Sequence, residues 1–166
     1  MGMREAVHPR QVVLVSVRGS AEALGKEVHR DNIITLAWHT PLSFDPEMYG
    51  ICVGKNRFSY KLIKQSRAFA VNFASHDMKD PAVYCGTSTG ANVEKFDRPD
   101  ITKQECEKID CPCIAEAVAV LECELVEEVE TGDHVFFIGK VLRSDVRDDK
   151  ARLFHCGADQ FTTTHK

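Results

Sequence analysis

NIITLAWHTPLSFDPEMYGICVGKNRFSYKLIKQSRAFAVNFAS, residues 32–75, is the stretch whose reading decides the fold. β-Branched and aromatic residues from Asn32 to Thr40 predict a strand that carries the chain's only tryptophan, Trp38. Pro41 to Pro46, with Ser43 and Asp45 between the two prolines, predict a break. A second strand is expected over Met48–Val53, ending at Gly54, then a short helix from Tyr60 to Ser66 and a third strand over Phe69–Phe73.

The strand-to-helix junction in this stretch has a chemistry of its own. Ser59 is placed to cap a helix beginning at Tyr60, its hydroxyl accepting from a free backbone N–H. A helix start presents unpaired N–H groups and the positive end of the macrodipole, which suits an anion. Lys55 and Arg57 lie just upstream, and a guanidinium can hold a phosphate through two parallel hydrogen bonds. The plain alternative is a capped surface helix with solvated basic neighbours.

Working outward, Gln11–Val17 predicts a strand closed by Arg18-Gly19-Ser20, and the charged segment to Arg30 a loop or short hairpin. Downstream, Asp80 and Pro81 suit a helix start, with a stop at Gly86. A hydroxyl-rich loop from Gly86 to Gly90 follows, then one helical turn over Asn92–Phe96. Residues 102–105 suggest a brief helix that Cys111-Pro112-Cys113 breaks. Ala115–Glu130 is the longest β signal, with Leu121, Cys123 and Leu125 on one face and Glu122 and Glu124 on the other. After the turn Thr131-Gly132-Asp133, His134–Leu142 returns as its partner, and Gly139 marks a bulge or a close backbone approach. Leu153–His155 is a last short strand before a tail from Gly157 to Lys166. Six or seven strands, two short helices and no strand–helix alternation favour a closed antiparallel barrel, a mainly β fold, over a doubly wound sheet. Neither a G-x-G-x-x-G after a strand nor a Walker-type loop is present.

At 166 residues, 43% of them hydrophobic, the chain is expected to form one domain over residues 1–166. A net charge of −4 argues against a nucleic-acid partner. No apolar run approaches the roughly 20 residues of a membrane helix, so no membrane partner is expected. MGMREAVHPR lacks the apolar core of a secretory signal, and a cytoplasmic location is the expectation. Seven cysteines, an odd number, point to reduced thiols, with Cys52 and Cys123 acting as small hydrophobes within strands. Cys106-x4-Cys111-x-Cys113 has no matching C-x2-C, which disfavours an iron–sulfur cluster. Disulfide exchange at these thiols, or a metal shared with Cys85 or His76, stands as a rival role.

NIITLAWHTPLSFDP, the strand after it, KNRFSYKLI and FAVNF together resemble the flavin reductase-like, FMN-binding split-barrel family, its flavoredoxin-type branch most of all. Residues 85–96, CGTSTGANVEKF, are similar to that family's second signature, a Ser/Gly turn followed by a Lys-Phe pair. The resemblance implies a Greek-key split barrel with a few short helices, FMN as cofactor, and a homodimer with the flavin near the subunit interface. It implies that Trp38, His39 and Thr40 lie along the isoalloxazine, although strand alternation puts Trp38 and Thr40 on one side and His39 on the other. Trp38 as a core anchor and His39 as a satisfied surface histidine are the alternative. Asn56, Arg57, Ser59 and Tyr60 are the phosphate and ribityl candidates. Ser43 and Asp45 belong to a loop that borders the flavin in the family, and a turn role explains both equally. Thr87, Ser88, Gly90 and Lys95 come from the second signature.

The expected function is electron transfer from NAD(P)H or a protein donor, through bound FMN, to free flavin, iron or a redox partner. Since flavin N5 accepts hydride directly, no side chain is assigned as catalytic. The alternatives are an FMN-binding electron carrier without NAD(P)H turnover, and a cysteine-based metal or redox protein.

Overall fold

The computed structural model describes residues 2–164. A short helix, Met3–Ala6 (α1), and a two-residue strand, Arg10–Gln11 (β1), lead into a long hairpin of Val13–Ala23 (β2) and Lys26–Leu36 (β3). The charged segment read as a loop or short hairpin is the outer end of this hairpin, and the pairing is long: β2 and β3 stay paired from Val13↔Leu36 to Ala23↔Lys26. Leu24 and Gly25 turn the hairpin at φ 53° and 76°. Positive φ at both central residues matches the twist of the flanking strands.

Two residues later the chain re-enters the sheet as His39–Phe44 (β4), which a tight turn at Asp45-Pro46 joins to Glu47–Gly54 (β5). Pro41 does not break this strand, because β4 is an edge where a missing N–H costs no ladder bond, and the register shifts between Pro41 and Ser43. The helix Phe58–Ser66 (α2) follows, then Ala68–Phe73 (β6) and the helix Lys79–Thr87 (α3), which begins one residue before Asp80. Residues 102–105 are not helical. Lys103–Glu105 (β7) pairs with Pro112–Ile114 (β8), because backbone bonding to a buried strand outweighs a weak local helix preference. Ala119–Thr131 (β9) and His134–Val146 (β10) form the second long hairpin, and Leu153–Gly157 (β11) with Gln160–Thr163 (β12) makes a small sheet with β1. The expected C-terminal tail therefore contains a strand, while its last two residues lie outside those described.

Seven strands pair antiparallel in the order β3-β2-β6-β9-β10-β5-β4. The two end strands of that order are joined by only Ala37 and Trp38, so the sheet curls until its edges meet at this bend. The bend's carbonyls are satisfied from three directions: Arg10 Nε donates to Ala37 O (2.6 Å), Cys52 N to Trp38 O (2.9 Å) and Arg10 Nη2 to His39 O (3.4 Å). The result is a mainly β split barrel with a few short helices.

Strand alternation divides the core in two. Val13, Val15 and Val17 of β2 face the barrel interior with Phe69, Phe137 and the α2 residues Phe58, Leu62 and Ile63. Val12 and Leu14 face outward onto Met78, Ala82 and Cys85 near α3 and onto Cys111, Cys113 and Ile114. The alternation expected in β9 fails at Glu122, which is buried: its carboxylate accepts from the backbone N–H groups of Glu107 and Lys108 at 3.1 and 2.6 Å. No helix among the described residues is long and apolar enough to cross a membrane.

Gly139 is both a bulge and a close approach. The β9–β10 register shifts there, and a Cβ would sit 2.7 Å from Phe69 Cζ and 2.8 Å from Cys123 Cβ. Gly139→Ala is therefore expected to lower the unfolding free energy by about 1–3 kcal/mol through overpacking, read from urea denaturation.

Candidate functional site

A cleft of about 200 Å³ opens where the ends of β3 and β5, the start of α2 and the loop after α3 converge. From the α2 start it receives Asn56, Arg57, Phe58 and Ser59; from the α3 loop Gly86, Ser88, Thr89, Gly90 and, beyond it, Lys95. Both motifs read from the sequence meet here, although they are some 30 residues apart in the chain.

Ser59 does not cap the helix. Arg57 is the N-cap residue and makes no side-chain capping bond, so Ser59 lies within the first turn. It is buried, and its Oγ accepts from Asn32 Nδ2 at 2.8 Å, leaving the hydroxyl proton free to donate. Tyr60 N–H is satisfied by Arg57 O (3.1 Å), whereas the first-turn N–H groups of Phe58 and Ser59 have no acceptor within the helix. Arg57 is exposed and, among the described residues, makes no ion pair. Lys55 is engaged elsewhere, with Glu130 at 3.0 Å.

The second motif closes the opposite wall. Ser88 Oγ donates to Tyr84 O (2.6 Å), which ends α3, and Thr89 Oγ1 accepts from Ala91 N (3.3 Å), which leaves its own proton to donate. Lys95 is buried and donates to Ile33 O (2.6 Å) and Cys85 O (2.7 Å), tying the loop to β3. Burial, with the nearby Arg57 charge opposing protonation as well, pulls its pKa down to about 8, only partly offset by Cys85. The third ammonium proton has no protein acceptor in these bonds.

Asn32 was not singled out from the sequence, yet it links the two walls. It is buried in the cleft wall, bonded to Ser59 through Nδ2, while its Oδ1 has no partner. A Cβ on Gly90 would collide with this same amide, so only glycine lets the loop lie against it. The available signal was a lone amide at the head of an otherwise β-branched and apolar strand. His134 completes the rim: its Nδ1 lies 2.7 Å from Asp133 Oδ1 and its ring 5.0 Å from that of Trp38. It is brought there by the β9–β10 turn, which Thr131-Gly132-Asp133 announces, but no local motif tells that this turn reaches the cleft. Cys52 also lines the cleft and is half-buried, so it is not the core cysteine that its strand suggested; Cys123 is.

Other expected site residues stand apart from the cleft lining. Trp38 borders it through His134. His39 is structural in its bonding: Nε2–H donates to Gln11 O (2.8 Å), so Nδ1 accepts from the Tyr49 hydroxyl (2.7 Å). Burial, which outweighs the opposing Gln11 bond, holds its pKa below the ordinary histidine value. Thr40 is exposed and donates to Pro41 O (3.2 Å), and Ser43 and Asp45 lie toward the β4–β5 turn. Tyr60 packs on Phe137 with ring centroids 5.9 Å apart, and the Thr87 hydroxyl turns back to Val83 O at 2.8 Å. Among the described residues, no group of three or more His, Cys, Asp or Glu side chains is placed to hold a metal.

The chain is thus a split barrel with a polar, donor-rich cleft between one helix start and a Gly/Ser loop. Residues 3–164 match the family model described as "Flavin reductase like domain", and the chain belongs to that family. An uncharacterised protein of Archaeoglobus fulgidus is 37% identical over 115 residues, 69% of this chain; the match spans 65% of that relative, less than two-thirds of its length. Two solved structures superpose closely. The NADH:FAD oxidoreductase of Streptomyces globisporus has a TM-score of 0.85 at 25% identity, covering 99% of this chain and 92% of that one. The FMN-binding protein of Thermus thermophilus has a TM-score of 0.83 at 25% identity, covering 96% of this chain and 88% of that one.

Two outcomes follow from the packing. Gly90→Ala is expected to push Asn32 off Ser59 and cost about 1–3 kcal/mol of stability by urea denaturation, because its Cβ has no room. For His39, the unfolded chain binds more protons than the folded one just below the ordinary histidine pKa, so stability falls as pH drops through that range. His39→Gln keeps a donor for Gln11 O and removes that titration. Wild type should therefore lose more unfolding free energy between about pH 7 and pH 5 than the variant does.

Proposed function

We propose that this chain is a flavin reductase-like oxidoreductase that binds FMN in the cleft between α2 and the α3 loop, as one split-barrel unit. The observation that carries the reading is the set of unspent donors converging there: an exposed Arg57 without an ion pair, the Ser59 hydroxyl, the first-turn amides and the Thr89 hydroxyl. A doubly charged phosphate can use all of these, and Lys95 adds charge behind the loop. Asn32 Oδ1, buried without a partner, offers an acceptor in the same wall. Asn56 and Ser88 suit the ribityl hydroxyls, and Trp38 with His134 forms a flat aromatic rim beside the place for the ring system. His39 and Thr40 follow Trp38 in the chain without lining the cleft, and Ser43, Tyr60 and Thr87 do not line it either.

When bound, FMN supplies hydride and electron transfer. The chain's own part is to hold the phosphate, shield one side of the ring and leave the other accessible. The donor is NAD(P)H or a redox protein, and the acceptor is free flavin, iron or a partner protein. FMN is preferred as the flavin named for the Thermus thermophilus neighbour, whereas the Streptomyces globisporus neighbour is named for FAD. The exposed Leu42 and Phe44 on edge strand β4 suit a second copy, so a homodimer in the cytoplasm is the expected assembly.

Titration of the purified chain with FMN, followed by flavin fluorescence, tests the reading. Wild type should quench it, and Arg57→Ala should weaken binding about 10- to 100-fold, the loss of a charge-assisted hydrogen bond of about 1.5–3 kcal/mol. Equal affinity in Arg57→Ala and Ser59→Ala would move the phosphate site elsewhere. Anaerobic bleaching of the bound flavin by NADH or NADPH marks a reductase; bleaching only by a reduced protein marks an electron carrier.

A further inference from the structure

Three of the chain's seven cysteines meet on the small β7–β8 ribbon, on the far side of the sheet from the barrel interior. Gln104 pairs with Cys113 and Glu105 with Pro112, and the N–H of Cys106 donates to Cys111 O at 3.0 Å. Cys106 therefore lies opposite Cys111 and diagonal to Cys113, with all three side chains on one face of the ribbon. The Cys106 side chain lies against those of Cys111 and Cys113.

The three thiols differ in what else they touch. Cys111 is fully buried and its Sγ donates to Ser16 O (3.2 Å) and Pro112 O (3.3 Å). Cys113 lines a separate open cleft of about 480 Å³, and Arg147 Nη2 donates to its Sγ at 3.5 Å. Cys106 is half-buried at the ribbon's end. The loop that carries it is held in place: Glu122 accepts from the amides of Glu107 and Lys108, and Arg18 pairs with Glu105 and Asp110 at 2.9 and 2.7 Å.

We propose that Cys106 and Cys113 are a redox-active dithiol that reduces small organic disulfides, Cys106 attacking and Cys113 resolving. The Cys106 thiol gives up its proton and its sulfur attacks one sulfur of the disulfide RSSR. That S–S bond breaks, a Cys106–SR mixed disulfide forms, and one RS⁻ leaves and takes up a proton. The Cys113 sulfur, its own proton released, then attacks Cys106 Sγ and expels the second RS⁻, which is protonated in turn. Two protein thiols are oxidised to one disulfide and RSSR is reduced to two RSH, so atoms and electrons balance.

Two features fit this chemistry. The cleft beside Cys113 holds Glu105, Glu107, Glu122 and Asp145 against Arg143 and Arg147, an acidic excess that suits a cationic disulfide. The neighbouring Cys106 thiol, then burial, pushes Cys113 above the ordinary thiol range against the Arg147 guanidinium, and Cys111 does so for Cys106 against an opposing Cys113. Thiols poorly stabilised as thiolates favour the disulfide product, which makes the pair a reductant, and they react slowly at neutral pH.

The test uses the full chain, reduced and then incubated anaerobically with excess cystamine, quenched in acid, alkylated and analysed by intact mass and peptide mapping. The expected product has lost two hydrogens, shows two fewer titratable thiols in denaturant than the chain's seven, and carries a Cys106–Cys113 cross-linked peptide. Cys113→Ser should stop at a cysteamine adduct on Cys106, and Cys106→Ser should leave Cys113 unmodified. A cross-link through Cys111 overturns the assignment, as does a wild-type chain in which Cys106 and Cys113 stay reduced. The wild-type result stands whether or not either variant folds, and circular dichroism separates a misfolded variant from an unreactive one.

Discussion

One segment of chain supplies both edges of the main sheet, and closing it on itself is the constraint from which the rest follows. Lys26–Leu36 pairs with β2 and His39–Phe44 with β5, and the two-residue bend between them must satisfy its carbonyls off the ladder. Arg10 and Cys52 do so, and the half-buried His39 is pinned to Gln11 and Tyr49 just beyond. Carbonyls left without partners in this half-buried bend would cost free energy, and these few bonds satisfy them where the sheet's edges meet.

Closure also creates the site. Because β3 and β5 are brought side by side near the bend, the start of α2 faces the loop after α3 across a narrow gap. Asn32 and Lys95 fix that gap: one reaches Ser59 and packs against Gly90, the other ties Cys85 and Ile33 together. Both are polar groups in an apolar setting: Lys95 uses two of its three ammonium donors, while Asn32 uses an amide donor and leaves its Oδ1 without a partner among the described residues. The capacity left over, on Asn32 Oδ1, Ser59, Thr89 and Arg57, faces the cleft.

The outer face of the sheet serves another purpose. Glu122, expected on the solvent side of β9, is instead covered by residues 106–110 and holds their amides. Arg18 and Asp31 carry the same segment from the β2–β3 hairpin, with Lys103 joining at 3.1 Å. A polar, irregular stretch is thereby ordered by charge-assisted bonds, and three thiols are held together on it.

The residue pattern determined the mainly β character, the β9–β10 hairpin, the short helix after KNR and its basic start, while the family resemblance supplied the second motif, residues 85–96. These were legible because strand period, glycine and proline positions and a basic helix start are local properties. Asn56, Arg57, Ser59, Ser88, Gly90 and Lys95 belong to this part. Only the tertiary structure decided that Ser59 bonds Asn32 instead of capping, that Lys103–Glu105 is strand, that Glu122 is buried, and that His134 and Asn32 join the site. Each of those depends on a partner outside the local stretch, such as Glu107 for Glu122, 15 residues away, and Asn32 for Ser59, 27 residues away. Local propensities of a few tenths of a kcal/mol do not outweigh a buried hydrogen bond made across that distance.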